Sequence, residues 1–267
     1  MSEFELILFY ANPADAAEAG AAGIEGLVVD WERRGKARRQ RDAATEINHH
    51  TAEDLRRARG VSAARLICRV DPPGPALEAQ IESAIDCAAD EVLLPMVRTV
   101  EEVEHALELA RGRIGVGVLV ETEAAVAAAA ELSTLPLSRA YIGLNDLSIE
   151  LGCASIFDPV ADGTVERVRA EFDLPFGFGG LTLPDRGAPV PCRLLIAEMA
   201  RLRCSFSFLR RHYRCDLAAA GGHAQAAQAI RRGLAAARLR PGPVVEADRR
   251  DLHASIVRSR QRSAVRG

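Results

Sequence analysis

"DEVLLPMVRTVEEVEHALELARGRIGVGVLVETEAAVAAAA", residues 90–130, changes its hydrophobic period three times within 41 residues. Apolar residues run almost unbroken over 90–97, recur three and four apart over 100–111, and run together again over 113–122. From 122 a helix-forming, alanine-rich pattern continues to 133. Near-continuous apolar runs of this length suit strands buried on both faces, as in parallel sheets, and the three-four spacing suits helices laid against them.

The same alternation extends in both directions. Strands are predicted at 4–11, 23–31, 64–70, 90–97, 113–122, 139–144, 176–183 and 204–211. Helices are predicted at 13–22, 51–58, 76–88, 100–111, 122–133, 163–171, 192–202 and 223–238. Eight strand–helix alternations in an α/β chain predict a (β/α)8 TIM barrel, and the length of 267 residues fits one such domain. The rival is an open doubly wound sheet, but "YANPADA" stands after the first strand where a Gly-rich fingerprint belongs. The barrel is expected over 1–242. A basic C-terminal extension, 243–267, is expected to be partly disordered, above all its last ten residues.

Composition narrows the chemistry. The net charge of −3 and a sequence pI near 6.1 give no general attraction for nucleic acid or an anionic membrane. No apolar run reaches the roughly 18 residues that span a bilayer, and the acidic start "MSEFE" does not read as a signal peptide. Six cysteines are scattered without a Cys-x-x-Cys pair, so a reduced, cytoplasmic protein is expected. Of 34 basic residues only Lys36 is lysine, which leaves 33 arginines (34 − 1). Lys36 lies in the cation-rich stretch "ERRGKARRQR", unlike a Schiff-base lysine at a strand end, so carbonyl chemistry here points to a metal.

In a barrel the catalytic groups stand at the C-terminal ends of the strands. Those ends carry Asn12; Asp30 and Glu32; Arg69 and Asp71; Pro95 and Arg98; Glu121 and Thr122; Asn145 and Asp146; Thr182 and Asp185; and Arg210 and Arg211. Asp30, Glu32, Glu121 and Asp146 therefore converge on one mouth with Arg69, and carboxylates so close need a compensating cation. An oxygen-rich donor set suits Mg²⁺ or Mn²⁺ rather than zinc. Each residue also has a plainer reading. Glu121 suits the first turn of a helix, Asp146 an N-cap, Arg69 a buried ion pair, and Asp30 or Glu32 a solvated loop. "RVDPPG" suits a turn, and the Arg-rich 33–41 stretch a solvated face.

Five stretches, "VVDWE", "CRVDPPG", "ADEVLLPMVRTVEEVE", "GVLVETEAAV" and "YIGLNDLSIELG", occur in order and at characteristic separations from Gly23 to Cys153. Together they resemble the citrate lyase β-subunit and class II 2-oxo-acid aldolase family of the phosphoenolpyruvate/pyruvate superfamily. The resemblance implies Mg²⁺ or Mn²⁺ on Glu121 and Asp146, an enolate-stabilising role for Arg69, and acidic catalytic residues at Asp30 and Glu32. It implies a carbon–carbon lyase acting through the enolate of pyruvate or a related small 2-oxo acid, with an aldehyde or thioester partner, in a homo-oligomer.

Three departures stand out. Arg33 occupies the position of the aldolase-branch His, Leu119 that of its Gln, and the acid that follows Asp-x-Glu in the citrate lyase branch is missing. Glu32, Glu46, His49 and His50 remain candidates for the proton carrier. Asn145, Arg210 and Arg211 are expected to bind substrate, the arginines through a second carboxylate or a phosphate. Two alternatives stay open: a malyl- or citramalyl-type coenzyme A thioester lyase using the basic stretch 33–41, and a non-catalytic barrel that keeps the metal site.

Overall fold

The computed structural model describes residues 4–34 and 50–264. Lys36, Glu46, His49 and most of the basic stretch lie outside the described residues. Along the first half run β1 (Glu5–Phe9), α1 (Pro13–Ala21), β2 (Gly26–Asp30), α2 (Ala52–Val61), β3 (Arg65–Arg69), α3 (Leu77–Asp86), β4 (Glu91–Leu94), α4 (Val100–Ala110) and β5 (Gly115–Val120). There follow α5 (Glu123–Ala127), α6 (Ala129–Leu132), β6 (Arg139–Ile142), α7 (Leu144–Glu150), α8 (Asp158–Ala161), α9 (Thr164–Glu171), β7 (Phe176–Phe178) and β8 (Gly180–Leu181). The chain ends with α10 (Cys192–Arg201), β9 (Phe206–Leu209), α11 (Arg211–Ala220), α12 (His223–Arg238) and α13 (Gly242–Ala264).

All strand pairings are parallel, in the order β7-β6-β5-β4-β3-β2-β1-β9-β8. The two ends of that list are neighbours in the chain. β7 pairs with β6 and β8 with β9, separated only by Gly179 at φ +61°. They are two halves of one seventh stave, so the sheet closes on itself as a (β/α)8 barrel. A left-handed residue breaks the predicted 176–183 strand, and glycine takes that conformation without a Cβ clash.

Strand residues alternate between two cores. Ile7, Val28, Ile67, Leu93, Leu119, Tyr141, Phe206 and Phe208 fill the barrel interior, while their chain neighbours pack outward against the helices. Tyr141 lies 4.1 Å from Phe208, centroid to centroid. The N-terminal end of the barrel is closed by an ion pair. Arg139 donates through Nε to both Glu91 oxygens (2.7 and 2.9 Å) and through Nη1 to Glu5 (3.2 Å), its guanidinium 4.7 Å from the Phe206 ring centroid. Gly117 makes room there, since a Cβ would stand 2.6 Å from Glu91 Oε1.

The end of the chain departs from expectation at the eighth strand. It stops at Leu209 instead of 211, and Arg211–Ala220 is helical. Of the 243–267 stretch, residues as far as Ala264 form α13, and 265–267 lie outside the described residues. Leu252 and Ile256 are buried, and Arg249 and Arg260 reach Glu166 (2.7 Å) and Asp158 (2.8 Å) on other helices. These contacts are distant in sequence, so local patterning does not reveal them.

A polar cluster pins α12 to α1. His223, 2% exposed, faces Asp15 Oδ1 through Nε2 (3.2 Å) and the Tyr213 hydroxyl through Nδ1 (3.1 Å), while Arg214 donates to Asp15 Oδ2 (2.8 Å). Burial raises the pKa of Asp15, but the hydrogen bonds from His223 and Arg214 outweigh it and hold the carboxyl at about 2, against an ordinary 3.8. A depressed carboxyl stabilises the fold above its unfolded value and stops doing so as pH falls through its folded value. Asp15→Asn is therefore expected to cost about 2 kcal/mol at pH 7 and much less at pH 2. Urea unfolding at the two pH values measures this, and an equal cost at both contradicts it.

Candidate active site

The interior face of the barrel is apolar up to one layer and ionic just above it. Two residues beyond Val28, Ile67 and Leu119 stand Asp30, Arg69 and Glu121, so the strand period of two aims all three at the axis on the C-terminal side. The register pairs Asp30 directly with Arg69. Arg69 donates through Nε to Asp30 Oδ1 (2.9 Å) and through Nη2 to Oδ2 (2.8 Å), and its Nε lies 3.5 Å from Glu32 Oε2. Asp30 and Glu32 are 0% and 1% exposed, which excludes the solvated-loop reading. Arg69 is the buried ion-pair partner of its plainer reading, and its guanidinium also lies 5.2 Å from the centroid of Phe9. Burial opposes its charge, but Asp30, then Glu32 and Glu121, outweigh that and hold it firmly protonated.

Glu121 is not a helix-capping carboxylate. Thr122 caps α5, its Oγ1 accepting from the Ala125 amide (3.0 Å), while Glu121 stands before the cap and is 2% exposed. One oxygen, Oε1, accepts from the backbone N–H of Met96 (2.9 Å). The other, Oε2, lies against Gly143, where a Cβ would collide with it. Asp146 is not an N-cap either. Gly143 holds that position, and Asp146 is buried in the first turn of α7.

Burial, then the charges of Asp146 and Glu32, push the Glu121 carboxyl well above the ordinary range, although Arg69 and the Met96 amide work the other way. Three carboxylates thus crowd a site with one arginine already paired to a fourth. Among the described residues no group of three or more His, Cys, Asp or Glu side chains is arranged to hold a metal ion. Glu121 and Asp146 offer two hard oxygen donors, and Mg²⁺ commonly takes one or two carboxylates and completes its shell with water and substrate oxygens. The donor chemistry, the Oε2 seat at Gly143 and the raised pKa of Glu121 all fit such an ion.

The other residues at the strand ends divide. Asn145 stands beside Asp146, its Nδ2 buried without a hydrogen-bond partner. Arg210 follows β9 on the interior parity of Phe206 and Phe208, its Nε likewise buried and unpartnered. Arg211 begins α11. Asn12 caps α1 by accepting from the Asp15 amide (3.0 Å), and Thr182 donates to Asp216 (2.5 Å).

Asp71 is committed to the loops. Its Oδ1 accepts from the amides of Arg33 (2.7 Å) and Arg34 (2.8 Å), and its Oδ2 from Gln80 (3.1 Å). Arg34 in turn donates to the carbonyls of Pro72 (2.7 Å) and Pro73 (2.6 Å), so "RVDPPG" clamps the loop that carries Glu32. Arg33 donates to the His50 carbonyl (3.2 Å). His50 accepts the Asp30 amide on Nδ1 (3.0 Å) and packs edge-on against Tyr10, which belongs to the outward-facing core. The imidazole takes the place of a ladder carbonyl, which leaves Glu32 as the described proton-carrier candidate inside the barrel. Met96 and Gly143, which hold the two oxygens of Glu121, were not among the residues expected to matter.

The family model described as HpcH/HpaI aldolase/citrate lyase matches residues 5–157, the portion that contains Asp30, Glu32, Arg69, Glu121 and Asp146. No curated protein matches the chain. Among solved structures, an HpcH/HpaI aldolase/citrate lyase family protein from Burkholderia cenocepacia J2315 superposes with a TM-score of 0.58 at 16% identity, covering 78% of this chain and 88% of that one. The citrate synthase SbnG gives 0.58 at 20% identity over 82% and 94%, and RipC from Yersinia pestis 0.56 at 13% over 91% and 98%. At these identities the structures establish a shared fold.

Proposed function

The chain belongs to the HpcH/HpaI aldolase/citrate lyase family, which makes it a protein of lyase type, and from that premise we propose a divalent-metal-dependent carbon–carbon lyase acting through the enolate of pyruvate or a similar 2-oxo acid. The observation that carries this reading is the buried Glu121 carboxyl, which continues the interior parity of Leu119 and lies within the field of Asp146, Glu32 and Arg69.

A bound Mg²⁺ or Mn²⁺ supplies Lewis acidity for the 2-oxo group. Glu121 and Asp146 would hold it, Glu121 through the single oxygen left by Met96. Arg69 places fixed positive charge where the enolate oxygen develops, held in direction by its two bonds to Asp30. Glu32, within 3.5 Å of the same guanidinium, carries the proton to and from the enolate carbon. The unpartnered Nδ2 of Asn145 and Nε of Arg210 supply donors for a substrate carboxylate.

The test is exchange of the pyruvate methyl protons in D₂O. Mg²⁺-dependent loss of the methyl proton signal is expected. Its absence in the wild type favours a second reading, a barrel that binds the cation and transfers no proton, for which Arg33 and the outward-turned His50 speak. Gly143→Ala supplies a second measurement. Gly143 has φ −79°, open to alanine, but the new methyl would displace Glu121 Oε2. Mn²⁺ affinity is expected to fall roughly tenfold or more with the fold intact. Unchanged affinity would move the cation away from Glu121.

A further inference from the structure

Among the described residues, four that are not glycine have positive φ: Ala88, Met96, Arg111 and Arg203. Three of them end helices. Arg111 is the C-cap of α4, Ala88 follows the C-cap of α3, and Arg203 follows that of α10. A left-handed residue is the ordinary way to end a helix, so those three explain themselves. Met96, at φ +53°, lies two residues beyond the end of β4 at the mouth of the barrel, 8% exposed.

A side chain in this region strains the backbone, and such strain persists only where the surroundings enforce it. The amide of this residue is the one that donates to Glu121 Oε1 (2.9 Å). The 97–98 peptide is also held, since the carbonyl of Val97 accepts from Thr122 Oγ1 (2.5 Å), beside Glu121 in the chain. Turning the 95–96 peptide over would bring Met96 into a relaxed conformation and carry its N–H away from Glu121.

We propose that Met96 is a positioning residue: its left-handed backbone pins Glu121 Oε1, so that Oε2 alone, seated against Gly143, is offered toward Asp146 as a cation ligand. This rests on the reading of Glu121 as a ligand. It goes beyond that reading by assigning Glu121 one-oxygen coordination and by naming the backbone strain that imposes it. The side chain of Met96 is incidental to the role, and its φ is not.

The test uses three substitutions in the full chain, each read by thermal unfolding without metal and by Mn²⁺ titration. Met96→Gly and Met96→Ala lose the same buried side chain, but only Gly takes the φ without a Cβ penalty. The Gly variant is expected to melt above the Ala variant, with Mn²⁺ affinity within about twofold of the wild type. Met96→Val, β-branched and poorly suited to positive φ, is expected to turn the peptide over and weaken Mn²⁺ by roughly ten- to a hundredfold. A Gly variant that melts below the Ala variant overturns the claim of strain, whether or not the Val variant folds. A folded Val variant that binds Mn²⁺ like the wild type overturns the claim of positioning and leaves Met96 an ordinary turn. Failure of the wild type itself to bind Mn²⁺ overturns the metal reading and this role with it, while the metal-free midpoint of Met96→Gly against that of Met96→Ala still reports separately on the strain.

Discussion

Glu121→Gln is expected to abolish Mg²⁺-dependent exchange of pyruvate protons, by at least about 10³-fold, and at the same time to raise the melting midpoint of the metal-free protein. The two effects have opposite signs because they have one cause. Burial, with Asp146 and Glu32, raises the Glu121 carboxyl well above its ordinary range in the folded protein. A group with a raised folded value contributes stability below its unfolded value and loses it as pH rises through the folded one. Above the unfolded value, keeping this buried carboxyl therefore burdens the fold, and the neutral amide of Gln removes the burden. The Gln carbonyl can still accept from the Met96 amide, so the local backbone keeps its partner. If Glu121 is one of two anionic ligands, as proposed, losing it would remove several kcal/mol from a step that depends on the ion, and about 1.4 kcal/mol is tenfold in rate. Calorimetry and proton exchange on the same samples settle it. A variant that is inactive and also less stable would mean that Glu121 is held by something other than electrostatic crowding.

Arg69→Met carries the second large effect, and this one falls on stability and activity together. Asp30 is 0% exposed and takes both of its bidentate bonds from Arg69, whose Nε is also 3.5 Å from the 1%-exposed Glu32. Removing one partner of a buried pair leaves an uncompensated buried charge and costs about 3–5 kcal/mol. On the proposed mechanism the enolate-stabilising charge would go with it, worth roughly 10²–10³ in rate by analogy with removal of an oxyanion donor. Arg69→Lys keeps a charge but cannot reproduce the two-bond fork to Asp30, so it is expected to recover stability better than turnover. Urea unfolding separates these outcomes. A cost below about 1 kcal/mol for Arg69→Met would show that the Asp30–Arg69 pair does not organise the mouth.

The barrel was legible because its strands are buried on both faces, which makes each an apolar run bounded by helical periodicity. Asp30, Arg69 and Glu121 were legible for a related reason. Each extends the interior parity of Val28, Ile67 or Leu119 one step past the apolar layer. The features that escaped depend on backbone torsion or distant contacts. Methionine has no preference for positive φ, so Met96 leaves no trace in sequence. Gly179 looked like one more small residue in "FGFGG", yet it is where the seventh stave divides. Arg210 and Arg211 read as the end of an apolar strand, whereas the ladder ends at Leu209 and Arg210 becomes the N-cap of α11. The final helix is held by two buried apolar residues and by arginines paired to acids roughly a hundred positions away, such as Arg260 with Asp158. His50 was a proton-carrier candidate because histidine is common in that role. Its use as an acceptor for the Asp30 amide becomes visible only once β1 ends before β2.

A crystal structure of the protein with Mg²⁺ and oxalate, a mimic of the pyruvate enolate, tests the central claim most directly. One ion is expected, bonded to a single oxygen of Glu121 and to Asp146, with oxalate completing its shell and Arg69 donating to an oxalate oxygen. An ion held by other residues, or oxalate bound away from Arg69, would contradict it.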